Sequence, residues 1–240
     1  MKQQAVVAQQ FGNTASAYLT SSVHAQGADL SALRGFAAAL GKAPVAESVT
    51  AFDLSAQMLD VVASAARERG LANIATRQGN VSRLPFADAS FCMVVTRFSA
   101  HHWLDVPAAL REVKRVLKPR GLLVIIDITA PESPLHDTTL QAVELLRDGS
   151  HVRDYRPSEW ERMLEDAGFT PERAGGWKLE MKFDEWTARM RTPAERITAI
   201  RSLFASAPEE TRDYFAVQPD DSFTIDSTLF KAGHDVGDID

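Results

Sequence analysis

From residue 49 onward the chain alternates short, apolar, β-branched runs with amphipathic helical patterns, and this alternation limits the fold more than any other feature. It predicts an α/β fold built on a mostly parallel sheet with helices on its faces. Val49 to Phe52 reads as a strand ending at Asp53. Ser55 caps a helix whose Met58, Val61, Val62, Ala65 and Ala66 recur at helical spacing, and Gly70 closes it. Asn73 to Arg77 reads as a weaker strand. Phe91 to Thr96 and Leu122 to Ile126 are continuous apolar runs of the kind buried on both faces of a sheet. Between them Leu110, Val113 and Leu117 form a helical stripe that Pro119 is expected to stop.

Beyond Pro131 the pattern becomes more helical. Helices are expected over 138–147, around Trp160 to Ala167, and over 194–205, the last with Thr192 as cap, Pro193 at the first helical position and Glu195 reaching back. Strands are expected at Trp177 to Phe183 and Ser222 to Phe230. Upstream of Val49 there are helical patterns alone, at Asn13 to His24 and Asp29 to Leu40.

Composition narrows the function classes. The chain has 240 residues, 45% of them hydrophobic, which suits one sizeable domain. No apolar run approaches the roughly 18 residues of a membrane span, no signal peptide is legible, and the single cysteine, Cys92, has no internal partner. A cytoplasmic location and the absence of a membrane span are therefore expected. With 26 basic and 32 acidic side chains the net charge is -6, a poor match to a phosphate backbone, so no nucleic-acid partner is expected.

In open α/β sheets ligands bind outside the carboxyl ends of the strands. Asp53 ends one strand, where a carboxylate can accept from a ribose diol or simply help cap the next helix. Gly79-Asn80-Val81 can read the edge of an adenine ring or form a plain turn. Arg97 to Trp103 is a polar, aromatic cluster after a buried strand, with His101 and His102 as weak candidates for a base or for packing roles. No metal site is expected, because no acidic or cysteine partner lies at ligand spacing.

Taken in order, residues 49–59, 79–91 and 110–121, with Phe11-Gly12-Asn13 to Tyr18 and Tyr155 to Trp160, resemble the class I S-adenosylmethionine-dependent methyltransferases. The similarity is to the small-molecule branch that includes the ubiquinone and menaquinone C-methyltransferases. It implies a Rossmann-like sheet and a single domain over 1–232, comprising a helical lid (1–40), a cofactor core (49–130) and a helical insertion with the end of the sheet (131–232). A polar tail (233–240) follows. It also implies methyl transfer from S-adenosylmethionine to a small-molecule acceptor, with S-adenosylhomocysteine as product. Asp53 would hold the ribose, Leu54 would pack on the adenine, Asn80 and Val81 would meet its edge, Arg97 would lie near the methionine moiety, and Tyr18 would close the site.

The sequence departs from that family in one large respect. The first strand and its glycine-rich turn are missing: no Gly-x-Gly precedes Asp53, and Gly41 to Val49 is too short for a strand-to-strand crossover. Roughly 20 residues are absent from what would be the centre of the sheet. Removing that strand should unfold the domain or force its two neighbours together. Three readings remain open: residues missing from the written sequence, a shortened and catalytically silent protein of the same fold, or a sheet re-formed around the gap. A nicotinamide-dependent dehydrogenase shares the Asp53 feature but needs the glycine fingerprint that is absent. Smaller departures are Cys92 in place of an aspartate, and Arg120 in place of a glycine, the latter tolerable in a type I turn ending at Gly121.

Overall fold

The fold, taken from a computed structural model, is described for residues 2–20, 28–39 and 46–233. Two helices, α1 (Gln3–Thr20) and α2 (Ala28–Ala39), precede β1 (Val49–Asp53), α3 (Ala56–Glu68) and β2 (Ile74–Gln78). Then come β3 (Phe91–Arg97), a single 3-10 turn (Ala100–His102), α4 (Val106–Val116) and β4 (Leu117–Thr129). The remainder is α5 (Pro134–Arg147), α6 (Pro157–Asp166), β5 (Thr170–Met181), α7 (Phe183–Arg189), α8 (Ala194–Ser206), α9 (Glu209–Tyr214) and β6 (Phe223–Gly233). The architecture is the Rossmann-like α/β one, with helices on both faces of the sheet.

Along β4 the side chains alternate between two cores, as the pleat requires. Leu123 and Ile125 face Leu110 and Val113 of α4 and Trp160 and Leu164 of α6. Val124 and Ile126 face the opposite way, toward Ala32, Leu33 and Phe36 of α2. A third core lies beneath α5, α7 and α8, where Val143, Trp186, Ile200 and Phe204 pack with Ile128, Phe223 and Ile225. The continuous apolar run of β4 is thus explained by burial on both sides.

The strands form two sheets. β1 pairs with β2 in parallel, and the second sheet runs β3-β4-β6-β5, with β3 parallel to β4 and the remaining two ladders antiparallel. Among the described residues no ladder joins β1 to β3. The two strands that would flank the missing one have neither closed on each other nor lost their order, against the expectation from sequence. Both stay partly solvated: Val49 and Val95 are each 41% exposed, whereas Ile125 and Ile126 of β4 are 0% exposed. Water can therefore serve backbone groups that would otherwise be buried without partners.

Local chemistry corrects several boundaries. α1 begins ten residues before the expected Asn13. α4 stops at Val116, and Pro119 lies inside β4, where the register slips between Phe91↔Leu117 and Met93↔Leu122. Arg120 sits at φ +61°, so its turn is not type I and the residue is in the left-handed region. Phe183 starts α7 rather than ending a strand. Thr192 does not cap α8; its hydroxyl donates to the Arg147 carbonyl at 2.9 Å instead.

Candidate functional site

The residues expected to hold a cofactor come from two places. At the end of the first sheet, the Gly79 N–H donates to the Asp53 carbonyl at 3.0 Å, and Gln78 Nε2 donates to the Leu54 carbonyl at 3.0 Å. Asp53, Leu54, Gly79 and Asn80 are thereby brought side by side. A Cβ on Gly79 would lie 2.7 Å from the Phe52 ring, so only glycine lets the turn close on β1. Ser55 is the cap of α3, accepting from Met58 N, while Asp53 Oδ1 accepts from Ser55 N at 2.7 Å. Burial raises the Asp53 pKa above the ordinary carboxylate value, although the N–H groups of Ser55 and Leu54 oppose this. A half-buried carboxylate of this kind gains from further donors.

Asn80 turns its Oδ1 inward to accept from Ser82 N at 2.9 Å, so its acceptor is used within its own loop. Val81 packs on the core beside Leu84. The loop is fixed from behind by α4: Arg115 donates to the carbonyls of Leu84 and Phe86, and Glu112 accepts from Leu84 N at 2.8 Å.

The second place is the carboxyl end of the larger sheet. Arg97 donates through Nε to Asp29 at 2.6 Å and stacks over the Phe98 ring, so α2 anchors it. Phe98 takes φ +50°, an uncommon value for a bulky residue, and so steers the chain into the 3-10 turn. Tyr18 belongs to α1, with its side chain outside the described residues. Neighbouring residues of α1 bridge the two places: Gly12 abuts Gln57, and the Phe11 ring meets the His102 ring edge-on at 4.7 Å.

His101 and His102 do not act alike. His101 Nδ1 lies 2.6 Å from Asp127 Oδ1; the Asp127 side chain is 1% exposed and also accepts from Ala100 N and Ile128 N. Burial disfavours charge on His101, but the charge and hydrogen bond of Asp127 outweigh it and push the pKa up to about 9. His102 hydrogen-bonds the Ser150 carbonyl at 3.1 Å, and burial, then the His101 charge, hold its pKa well below the usual value. His151 is likewise lowered to about 3 by burial and by His101. Around these rings a small cavity of about 50 Å³ is lined by Phe98, Ile128, Met181, Trp186 and by Glu144, Arg147, Asp148 and Asp154. Among the described residues, Asp148 Oδ2 and Asp154 Oδ2 are buried there without a hydrogen-bond partner. Burial also raises Asp154 well above the carboxylate range.

Asp127, Glu144, Asp148, His151 and Asp154 were not anticipated from sequence. Asp127 carried a usable signal, because it directly follows the buried run Leu122 to Ile126, the same placement that singles out Asp53. The other four lie 43 to 53 residues from His101 along the chain and leave no local spacing. Among the described residues, no three His, Cys, Asp or Glu side chains converge in a way that could hold a metal ion. No described helix is long and apolar enough to cross a membrane.

Residues 28–125 match a family model described as a methyltransferase domain. The chain is 50% identical over 192 residues to the uncharacterized protein YafE of Escherichia coli, covering 80% of this chain and 93% of that protein. It is 37% identical over 179 residues to the uncharacterized methyltransferase YcgJ of Bacillus subtilis, covering 75% and 71%. The crystal structure of YcgJ superposes with a TM-score of 0.78 at 34% identity, over 83% of this chain and 87% of YcgJ. A putative methyltransferase from Bacillus halodurans gives a TM-score of 0.76 at 33% identity, over 85% and 90%.

Proposed function

The chain belongs to the class I S-adenosylmethionine-dependent methyltransferases, and from that premise we propose that it transfers a methyl group from S-adenosylmethionine to a small organic acceptor. The observation that carries the reading is the junction of β1 and β2. It brings half-buried Asp53 together with Leu54, Gly79 and Asn80 at the carboxyl rim of the first sheet.

These residues fit the adenosine half of the cofactor. Asp53 accepts from the ribose hydroxyls, Leu54 and Val81 line the adenine, and the Asn80 side-chain amide is left to meet the ring edge. The methionine half is served less well, since the described residues include no glycine-rich turn; Arg97, at the end of β3 and paired with Asp29, is the residue assigned to it. When bound, the cofactor supplies a methyl group on a sulfonium, already activated for displacement.

What remains for the protein is to orient the acceptor and manage its proton. The cavity around His101 suits that task, with Phe98, Met181 and Trp186 against an apolar body and His101 toward an oxygen. His101 keeps its proton at neutral pH, so it serves as a hydrogen-bond donor through Nε2, with Asp127 fixing its ring from the other side. His102, neutral and bonded to Ser150, positions the turn. This assigns the two histidines to holding and orienting rather than to a base that is free at rest.

A second reading, a catalytically silent domain of the same fold, draws on the split sheet. Equilibrium titration with S-adenosylhomocysteine separates the two. Saturable binding supports the enzyme, and no binding at millimolar ligand supports the silent domain.

A further inference from the structure

We propose that the cleft at the carboxyl end of β4, on the face of the sheet turned away from the His101 cavity, is a second binding site that takes a small, neutral, polyhydroxylated molecule. This site stands apart from the methyl-transfer reading, because among the described residues it shares no lining residue with the His101 cavity.

The pleat of the sheet separates the two. Ile128 of β4 and Ile225 of β6 line the His101 cavity, whereas the next residue of each strand, Thr129 and Asp226, lines this cleft. Successive side chains of a strand point to opposite faces. The cleft has a volume of about 360 Å³, within the range of sites for small organic ligands. Thr129 and Thr228, only 1% and 8% exposed, set their hydroxyls 2.8 Å apart in it. Whichever hydroxyl donates, the other keeps its own hydrogen for a further acceptor, and both oxygens keep a lone pair. Gly176, opposite Thr228 in the ladder, lines the cleft without a side chain; a Cβ there would meet only the Ser227 carbonyl, at 3.6 Å, an ordinary contact.

The charges of the cleft are already matched. Lys178 Nζ lies 3.0 Å from the Asp226 carboxylate and 4.1 Å from the centre of the Tyr214 ring, and Tyr214 Oη donates to the same carboxylate at 2.5 Å. Glu132 accepts from the backbone N–H and the hydroxyl of Ser158 at 3.0 and 2.7 Å. An anion would meet two carboxylates, and a cation would compete with Lys178 for Asp226. A neutral hydroxyl disturbs neither pairing, since it can donate to a remaining carboxylate lone pair and accept from Lys178 or a threonine. Burial and the Asp226 carboxylate push the Tyr214 pKa above its ordinary value, so the phenol keeps its proton and serves binding rather than base chemistry. Pro131, Pro157 and Trp177 also line the cleft and supply apolar surface for the carbon frame of such a molecule.

The test titrates myo-inositol and glucose into the full chain and follows the backbone amides by NMR, with inorganic phosphate and methylammonium as charged comparisons. Two variants accompany the wild type: Gly176→Leu, which fills the cleft, and Thr228→Val, which removes one hydroxyl at nearly constant shape. The expected result is saturable shifts centred on 129–132, 176–178 and 226–228 with at least one polyol. Affinity should fall at least tenfold in Thr228→Val and vanish in Gly176→Leu, while amides distant from the cleft keep their wild-type positions in both variants. No saturable response to either polyol at tens of millimolar, wild-type affinity in Gly176→Leu, tighter binding of phosphate or methylammonium, or shifts centred on the His101 cavity would each overturn the proposal. Every one of these outcomes is read without S-adenosylmethionine, so failure here leaves the methyl-transfer reading untouched.

Discussion

His101 and Asp127 form a buried ion pair, Nδ1 to Oδ1 at 2.6 Å, that links the turn after β3 to the end of β4. Because two backbone N–H groups also bind Asp127, the carboxylate is fixed before the histidine meets it. Replacing Asp127 with Asn leaves a buried imidazole without its counter-charge. The expected outcome is a loss of roughly 3 to 5 kcal/mol in urea unfolding, with the His101 pKa, read by NMR, falling below 6.5. A His101 pKa still near 9 in the variant would show that Asp127 is not its cause.

The same cluster sets how stability varies with pH. His101 is raised from 6.5 to about 9, so its stabilisation is complete below pH 6.5 and is lost as pH rises toward 9, a change of roughly 3 kcal/mol. His151 is lowered to about 3, so the unfolded chain takes up a proton below pH 6.5 that the folded chain refuses, and stability falls again toward acid. Unfolding free energy should therefore fall as pH rises from 6.5 to 9.5, and His101→Gln should flatten this alkaline side. An unchanged alkaline slope in that variant would contradict the assignment.

The turn at the start of β4 contains strain that one substitution can release. Arg120 adopts φ +61°, whereas at Gly121 a Cβ would lie 2.7 Å from the Lys118 carbonyl. Arg120→Gly is expected to raise stability by up to about 1 kcal/mol, and Gly121→Ala to lower it by more than that. Thermal unfolding of the two variants checks the order, and a loss in Arg120→Gly would mean the arginine makes a contact that matters more than its backbone angle.

Gly79 joins the two strands of the smaller sheet beneath the proposed adenosine site. Gly79→Ala drives a Cβ into the Phe52 ring, so binding of S-adenosylhomocysteine should weaken at least tenfold while the β3 to β6 sheet stays intact by hydrogen exchange. Full binding in this variant would place the ligand elsewhere.

Much of this was legible in the sequence because the signals are local. The buried run of β4, the Ser55 cap and the glycine after α3 each state their structure within a few residues. Asp53 and Gly79-Asn80 were legible for the same reason, since each follows directly on a strand. What escaped depends on distance along the chain. Thr192 looked like a cap but had a better partner 45 residues away, in Arg147. Glu144, Asp148 and Asp154, near His101, come from α5 and the segment after it, which no spacing rule connects to residue 101. The deficit at the centre of the sheet was visible as a missing motif; its consequence, two ordered sheets rather than collapse, depended on solvation of the β1 and β3 edges.

The central claim is that the adenosine half of the cofactor binds at Asp53 and not at the histidine cluster. Calorimetric titration of S-adenosylhomocysteine into the wild-type chain, Asp53→Asn and His101→Gln tests it most directly. The account predicts saturable heat in the wild type, an affinity lowered roughly 10- to 100-fold in Asp53→Asn, as expected for loss of charge-assisted hydrogen bonds, and little change in His101→Gln. Equal affinity in the wild type and Asp53→Asn, or no heat from any of the three at millimolar ligand, would contradict it.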